Sequence, residues 1–319
     1  MVKLTNSFTF KIEPIPPYSF KLTVRKPAGW PLFTPFEVYR GRAIWTATHI
    51  FGRLIGIKIT SKGTTEHPKI LATIFLEGSK EPEKLDEMKM SLAHSIGADG
   101  DLKEFYEFAR KDSILKHVIK DLYGMHSTGP STIFPEAALA ILLQMAPLKR
   151  SNEMMNCFIS TYGETAEFDN RVIFVWAQPL RIASLDPGDL ASTCKLGYRA
   201  KHLVNLSRKL ADGTFPSMKE LERLEPDEAK KKLLELPGIG DYSADIINPH
   251  GGFPIDAWSA DVFGRLFYGR EPDDKRKAIE GIKQEGWHRW GKWSWMAFFY
   301  VVQDLKNLSK KLNTSLRLE

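Results

Sequence analysis

The stretch that decides the fold is Leu236-Pro237-Gly238-Ile239-Gly240, which lies between two helix-like runs, Asp227 to Glu235 and Asp241 to Ile247. Because proline and glycine end a helix and glycine takes positive φ without strain, the pattern predicts two short helices joined by a tight turn, a helix-hairpin-helix. Unpaired amides at such a turn suit a phosphate oxygen, which predicts contact with a nucleic-acid backbone. The residues predicted to make this contact are Gly238, Ile239 and Gly240.

Asp256 lies sixteen residues after Gly240, within the sequence Phe253-Pro254-Ile255-Asp256-Ala257-Trp258. Because proline stops a preceding helix and aspartate is a favoured N-cap, Asp256 is predicted to lie at a helix start. An isolated aspartate in this position would only cap the helix. After the hairpin, its carboxylate can instead face back toward the turn and take part in chemistry.

Together the hairpin and Asp256 resemble the signature of the helix-hairpin-helix, Gly/Pro...Asp (HhH-GPD) superfamily of DNA base-excision glycosylases. The resemblance covers nearly the whole chain and points to two branches, the 3-methyladenine glycosylases of the AlkA type and the 8-oxoguanine glycosylases of the OGG type. Residues 196–200, Leu-Gly-Tyr-Arg-Ala, are similar to a segment of the OGG type. Residues 290–297, Trp-Gly-Lys-Trp-Ser-Trp-Met-Ala, are similar to a segment of the AlkA type.

The resemblance implies a reaction and a role for Asp256. Bifunctional members carry a nucleophilic lysine two residues after the second hairpin glycine, whereas this chain has Tyr242 there. The implied enzyme is therefore monofunctional: it hydrolyses the N-glycosidic bond of alkylated or deaminated purines, while Asp256 stabilises positive charge on the sugar and activates water. Two alternatives stay open, an 8-oxoguanine glycosylase with or without lyase activity, for example through Lys292, and a non-catalytic DNA-binding module.

A glycosylase needs a pocket for the flipped base. Tyr242 and Trp293 are the candidates, because aromatic faces attract cationic bases such as N-alkylated purines. The competing interpretation of Trp293, as of its neighbouring tryptophans, is core packing. Two further aspartates are expected to be structural, Asp245 within the hairpin and Asp261, which can pair with Arg265 one helical turn away.

A second group of candidates concerns the DNA duplex. Met145 stands where the AlkA type inserts an apolar wedge, and Gln144 precedes it as it does there. The alternative for Met145 is a core position at the end of an apolar helix. Lys149 and Arg150 are candidate phosphate contacts, with solvated surface charges as the alternative.

The periodicity predicts an α+β protein with an N-terminal antiparallel β-sheet domain followed by an all-α helix-hairpin-helix glycosylase domain. We place the sheet domain with a packed helix, Glu81 to Ile96, at residues 1–99. The glycosylase domain spans 100–319 as two helical subdomains with the active site between them. Strand-like alternation runs from Ser7 to about Leu76 and includes Phe20, Leu22 and Val24. The helices predicted after Asp101 include Leu102–Tyr123, Ala137–Met145, Asn152–Tyr162, Pro187–Ala191, Leu196–Leu210 and Ser294–Leu305.

Composition agrees with a polyanionic partner. The 319 residues contain 45 Lys and Arg against 39 acidic residues, for a net charge of +6. We expect a monomer whose partner is double-stranded DNA with a damaged base. We further expect a cytoplasmic, nucleoid-associated or nuclear protein without a signal peptide, and no membrane association, because the longest apolar run, Trp295 to Val302, is too short to span a bilayer.

No cofactor is predicted. The two cysteines, Cys157 and Cys194, are too few for a disulfide framework or an iron-sulfur cluster, and they fit a reducing compartment. No His, Cys or carboxylate cluster has metal-ligand spacing, so no metal site is predicted. Relatives hold a monovalent cation with hairpin carbonyls, and the resemblance leaves such an ion open here.

Overall fold

A computed structural model describes residues 1–78, 84–129 and 132–316. Its strands are β1 (Val2–Lys3), β2 (Asn6–Ile12), β3 (Val38–Arg40), β4 (Ala43–Ile50), β5 (Arg53–Ser61), β6 (Ile70–Leu76), β7 (Glu164–Phe168) and β8 (Arg171–Val175). Its helices are α1 (Phe20–Val24), α2 (Leu85–Ser95), α3 (Lys103–Ala109), α4 (Leu115–Asp121), α5 (Ile133–Leu143), α6 (Leu148–Tyr162), α7 (Pro179–Ala183), α8 (Pro187–Cys194), α9 (Arg199–Ala211), α10 (Met218–Leu221), α11 (Pro226–Leu234), α12 (Asp241–Ile247), α13 (Ala257–Tyr268), α14 (Lys275–Trp290), α15 (Ser294–Gln303) and α16 (Leu305–Leu312). A short 3₁₀ helix, Gly291–Trp293, joins α14 to α15.

The chain divides into two compact units, and unit 1 comprises Met1–Asp101 and Gly124–Met218. Its main sheet has five antiparallel strands in the order β2-β6-β5-β4-β3. Leu85, Met88 and Leu92 of α2 share one apolar core with this sheet. The predicted N-terminal antiparallel sheet with a packed helix is therefore present. Residues 81–83, with which the predicted helix began, lie outside the described part of the chain.

A second sheet makes the expectation of an all-α region after residue 100 wrong. Strand β1 pairs in parallel with β7, which forms an antiparallel hairpin with β8. The two turn residues, Asp169 and Asn170, both have positive φ, +46° and +56°, which is the geometry that two-residue hairpins favour. The ring of Phe168 packs so close to Gly56 of the main sheet that a Cβ there would lie 2.5 Å from it. This hairpin covers the outer face of β4, whose residues are all buried.

The predicted strand through Phe20, Leu22 and Val24 is instead the helix α1. Ser19 caps it by accepting a hydrogen bond from the Leu22 amide, and the buried residues Phe20, Thr23 and Val24 follow helical spacing. Alternation over five residues is too short a pattern to separate a strand from one turn of helix. The N-cap decides in favour of the helix.

The helices predicted to begin at residues 137, 152, 187 and 196 are present as α5, α6, α8 and α9, with ends that differ from the predicted ones by up to four residues, and α7 was not predicted. Helix α5 ends at Leu143, so Gln144 is its C-cap and Met145 lies outside it. The two cysteines, Cys157 on α6 and Cys194 at the end of α8, form a disulfide with Cα atoms 5.6 Å apart. One such bond is not a disulfide framework, but it joins two helices that are far apart in sequence.

Unit 2 comprises Leu102–Tyr123 and Lys219–Glu319. The single helix predicted for Leu102 to Tyr123 is two helices, α3 and α4, because the Asp112 carboxylate accepts the amides of Ile114 and Leu115 and starts a new helix there. The helix predicted as the last one ends at Gln303, and α16 follows it. No helix of the described residues is long and apolar enough to cross a membrane. The predicted boundary between residues 99 and 100 stays a prediction.

Candidate functional site

The predicted turn joins two helices of unit 2, α11 and α12. Gly238 has φ +83°, which favours glycine, and Gly240 occupies the N-cap of α12 without a side-chain cap. A Cβ built on Gly240 would meet no atom within 4 Å, so this side of the turn is open. Ile239 differs from the expectation: its side chain is buried and its amide donates to the Leu236 carbonyl at 3.1 Å. The amide of Ile239 therefore forms a hydrogen bond within the turn, and its side chain packs in the protein interior.

Four charged side chains tie this helix pair to α14. Nζ of Lys230 lies 2.6 Å from Oδ1 of Asp241 and 2.6 Å from Oδ1 of Asp245. Nζ of Lys283 lies 2.8 Å from Oδ2 of Asp245 and also contacts Asp241. Burial opposes ionisation of Asp241, but the hydrogen bonds from both lysines outweigh it and hold the pKa of that carboxyl below its usual value. Asp245 is structural, as expected, and it holds α11, α12 and α14 together.

Asp256 is the N-cap of α13. Its Oδ1 accepts the Ser259 amide at 2.8 Å and the Ser259 hydroxyl at 2.8 Å, and Ser259 Oγ accepts the Asp256 amide in return. Oδ2 makes no hydrogen bond with any residue that the structure describes. The cap predicted from sequence is present, and it leaves one oxygen of a partly buried carboxylate available to a ligand or a water molecule.

Tyr242, on α12, lies within electrostatic range of Asp256. Burial raises the pKa of the Tyr242 phenol, and the negative charge of Asp256 raises it further. The phenol is therefore neutral at physiological pH. The structure thus brings together two of the sequence candidates, a carboxylate with a free oxygen and an uncharged aromatic ring.

Trp293, the other pocket candidate, ends the 3₁₀ helix after α14. Its ring centroid lies 5.6 Å from that of Phe105, and Nζ of Lys292 lies 4.8 Å from the ring centre. Lys292 also pairs with Glu104 at 2.8 Å. Of its neighbouring tryptophans, Trp290 is a core residue, 1% exposed, whose indole donates to Asp112 at 3.1 Å. Trp293 is partly exposed, so core packing does not account for all of its surface.

Unit 1 holds the duplex candidates, and Met145 is not a core residue. Its side chain is 82% exposed, and its backbone has φ +48°, which is unusual for a residue with a side chain. Arg199 donates a hydrogen bond to the Gln144 carbonyl and helps to hold this conformation. The end of α5 therefore presents a large apolar side chain to solvent.

The two basic candidates differ from each other. Arg150 donates to the Lys195 carbonyl at 2.7 Å and pairs with Glu153 at 3.5 Å, so its guanidinium already has protein partners. Lys149 is exposed in the first turn of α6. Among the described residues, no three His, Cys, Asp or Glu side chains come together in a group that could hold a metal ion.

No protein-family model matches the chain. It is 27% identical over 189 residues to the DNA-3-methyladenine glycosylase of Bacillus subtilis (strain 168), in a match that covers 57% of this chain and 62% of that protein. It is 22% identical over 208 residues to a probable N-glycosylase/DNA lyase of Methanothermobacter thermautotrophicus, covering 58% and 65%. Each match spans less than two thirds of the relative's length.

Solved structures extend the similarity to the whole fold. A 3-methyladenine DNA glycosylase from Archaeoglobus fulgidus superposes on this chain with a TM-score of 0.71 at 17% identity. The superposition covers 96% of this chain and 100% of the glycosylase. The 8-oxoguanine glycosylase/lyase of Clostridium acetobutylicum, in complex with double-stranded DNA, superposes with a TM-score of 0.70 at 15% identity, over 97% and 99%. The chain is a homologue of DNA glycosylases and has their fold. The mixed α+β architecture, with an antiparallel sheet ahead of mostly helices, is thus that of the DNA glycosylases.

Three residues that hold Asp256 and the α11–α12 helix pair in place were not predicted from the sequence. Ser259 was detectable, because a hydrogen-bonding residue three positions after an N-cap aspartate is typical of a capping box. Lys230 and Lys283 were not detectable, because they are 53 positions apart and only the fold brings both to the same two carboxylates.

Proposed function

We propose that this protein is a DNA glycosylase that removes alkylated or deaminated purines by hydrolysis and leaves an intact abasic site. The observation that carries the proposal is the Asp256 carboxylate, which is fixed through Oδ1 and unengaged at Oδ2. Cleavage of an N-glycosidic bond develops positive charge on the sugar, and a fixed carboxylate stabilises that charge. The unengaged oxygen is also suited to orient the attacking water molecule.

Hydrolysis without strand cleavage follows from Tyr242. A lyase needs a nucleophilic amine at the sugar, and the position that holds this lysine in bifunctional relatives is a neutral phenol here. The same ring suits a base that carries positive charge, since a cation over an aromatic face gains about 0.5–2 kcal/mol. Alkylated purines are such bases, and their charge makes them good leaving groups. Trp293 is the second proposed aromatic contact to the base.

We further propose how the protein holds DNA. The segment Pro226–Ile247 acts as a helix-hairpin-helix whose turn, open at Gly240, contacts a phosphate. A monovalent cation bound by the turn carbonyls would add positive charge to this contact. Met145 enters the duplex as a wedge, because it is apolar, exposed and held in a strained backbone conformation. Lys149 is a second phosphate contact.

An assay on duplexes that each carry one lesion tests the reaction. The lesions are 3-methyladenine, 1-methyladenine, hypoxanthine, 8-oxoguanine and uracil, and each product is analysed with and without alkali. Strand breaks that require alkali, from an alkylated or deaminated purine, are the expected result. An absence of excision on every duplex, combined with retained DNA binding, would instead identify a non-catalytic DNA-binding module.

One observation favours a second candidate, an 8-oxoguanine glycosylase with lyase activity. Residues 196–200, Leu-Gly-Tyr-Arg-Ala, are similar to a segment of the OGG type. The fold does not distinguish the two candidates, because it superposes on an 8-oxoguanine glycosylase/lyase and on a 3-methyladenine glycosylase with TM-scores of 0.70 and 0.71. Borohydride reduction separates the two, because only a lyase forms a reducible imine with the sugar. A trapped covalent complex on 8-oxoguanine DNA would overturn the monofunctional assignment and direct attention to a lysine such as Lys292.

A further inference from the structure

A cleft of about 470 Å³ opens on the surface of unit 1, and all of its lining residues belong to the segment between Tyr18 and Ile70. None of the residues discussed above for base excision lines it. Its walls come from α1, from the turn between β3 and β4, and from the β5–β6 connection. The volume lies within the range of roughly 300–1,000 Å³ that is usual for small-molecule sites.

Four cationic side chains from three separate segments converge on this cleft: Lys21, Arg25, Arg42 and Lys69. Of the described residues that line it, none is an aspartate or a glutamate. Four like charges in a concave surface repel each other, and low-dielectric walls focus their field. An anion inside the cleft would relieve this repulsion. The protein has a net charge of only +6, so this concentration of positive charge is not a general feature of its surface.

The cationic groups are partly ordered by the protein itself. Arg42 donates from Nη2 to the Ser61 hydroxyl at 3.3 Å and to the Gly63 carbonyl, which holds its guanidinium at the rim. Arg25 lies over the ring of Tyr39, with 5.6 Å between the guanidinium carbon and the ring centre. Lys21 lies in α1, and Arg25 is the residue that ends this helix. The cleft thus combines two ordered guanidinium groups with two exposed ammonium groups.

We propose that this cleft binds the phosphate of a nucleotide, with the base against Tyr39 and Arg25. The absence of lining carboxylates selects an anion, and guanidinium groups with fixed geometry suit phosphate oxygens. Aromatic and guanidinium faces are the groups on which unpaired bases stack. Two sources supply this chemistry, a free nucleotide and an unpaired nucleotide within a nucleic-acid strand. The site is separate from the proposed catalytic residues, so it stands independently of the proposed function.

The test measures binding to the intact protein by titration calorimetry and fluorescence anisotropy. The probes are deoxyadenosine monophosphate, ribose 5-phosphate, inorganic phosphate and a fluorescent ten-nucleotide thymidine strand. The site variant is Lys21→Gln with Lys69→Gln, because both side chains are exposed and their replacement leaves the contacts of Arg25 and Arg42 intact. The matched control is Lys306→Gln with Lys310→Gln, which makes the same change of charge on α16 in unit 2.

The expected result is saturable binding of the wild-type protein, weakened about fivefold or more in the site variant and unchanged in the control. For the strand, the slope of log K against log salt should also become shallower by about one to two. If the site variant loses affinity only for deoxyadenosine monophosphate, the ligand is a free nucleotide. If it loses affinity only for the thymidine strand, the ligand is a nucleic acid. Equal affinities of wild type and site variant, no binding by wild type, or inorganic phosphate binding as tightly as the nucleotide would each overturn the proposal.

Discussion

Asp256 and Ser259 hold each other at the start of α13 through reciprocal hydrogen bonds of 2.8 Å. The carboxylate therefore has a fixed position without a countercharge at Oδ1. This arrangement separates two roles of one side chain, since a cap needs only an oxygen acceptor and the proposed chemistry needs a negative charge.

Asp256→Asn removes the charge and keeps an oxygen that can cap the helix. We expect excision to fall by about 100-fold or more, because a fixed electrostatic contact to the transition state is lost. The melting temperature should change little, since asparagine is as good an N-cap as aspartate. Asp274→Asn, the same change at the N-cap of α14, is the control and should leave both quantities unchanged. Full activity of the Asp256 variant would remove the assigned catalytic role.

Tyr242 should contribute its ring and not its hydroxyl. Because burial and Asp256 raise its pKa, the phenol stays neutral, and Tyr242→Phe should change the single-turnover excision rate by less than about threefold. Tyr242→Ala removes the aromatic face, and excision of a cationic base should fall by about tenfold or more. Equal losses in both variants would show that the hydroxyl, and not the ring, is what the reaction requires.

Met145→Ala should weaken base extrusion and leave the stability of the protein nearly unchanged. The side chain is 82% exposed, so its removal should change the free energy of unfolding by no more than about 0.5 kcal/mol. If Met145 is the wedge, base extrusion, followed by the fluorescence of 2-aminopurine beside the lesion, should become weaker. Met90→Ala is the matched control, because Met90 is another methionine of unit 1 and is 73% exposed. Identical fluorescence changes in the two variants would exclude the wedge.

Lys283→Met tests the ion-pair network that joins α11, α12 and α14. The Lys283 side chain is 11% exposed and that of its partner Asp245 is 4% exposed, so breaking the pair leaves a buried carboxylate undercompensated. Because Lys230 still pairs with Asp245, we expect a loss of about 1–3 kcal/mol in the free energy of unfolding, measured by denaturant titration. Lys292→Met breaks the exposed pair with Glu104 and should cost at most about 1 kcal/mol. A similar small effect at both positions would mean that the network does not stabilise unit 2.

Three titratable side chains of unit 1, the buried Lys26 and the partly buried Glu37 and Glu136, should together contribute least to stability near pH 8. Burial raises the pKa of Glu37 to about 7 and that of Glu136 to about 8, from 4.5. Between pH 4.5 and about 8 the folded protein therefore binds more protons than the unfolded chain, so its stability falls as pH rises through this window. Burial lowers the pKa of Lys26 from 10.5 to about 8, so stability rises again between pH 8 and 10.5.

The variant Glu136→Gln has no carboxyl to titrate and should flatten the fall of stability between pH 4.5 and 8. Urea titrations at several pH values measure this, with Glu13→Gln, at an exposed position, as the control. A curve for Glu136→Gln that parallels the wild-type curve would show that this group does not govern the pH dependence.

Local patterns predicted much of the fold and of the site. Pro237, Gly238 and Gly240 end one helix and allow a tight turn, and Pro254 with Asp256 starts another helix, because backbone sterics and capping act within a few residues. The errors arose where a short pattern was ambiguous. The alternation at Phe20 to Val24 suits a strand or a turn of helix, and the hairpin at Asp169 lacks the glycine that usually marks such a turn.

The sequence by itself determined the class of the fold, the helix pair with its turn, the cap at Asp256 and the absence of a lysine at position 242. Only the tertiary structure decided which oxygen of Asp256 is engaged, that Met145 is exposed and Trp290 buried, and that Lys230 and Lys283 share two carboxylates. The physical reason is range. Caps and turns depend on neighbours in the chain, whereas burial, ion pairing and the convergence of cationic groups on a cleft depend on segments that only folding brings together.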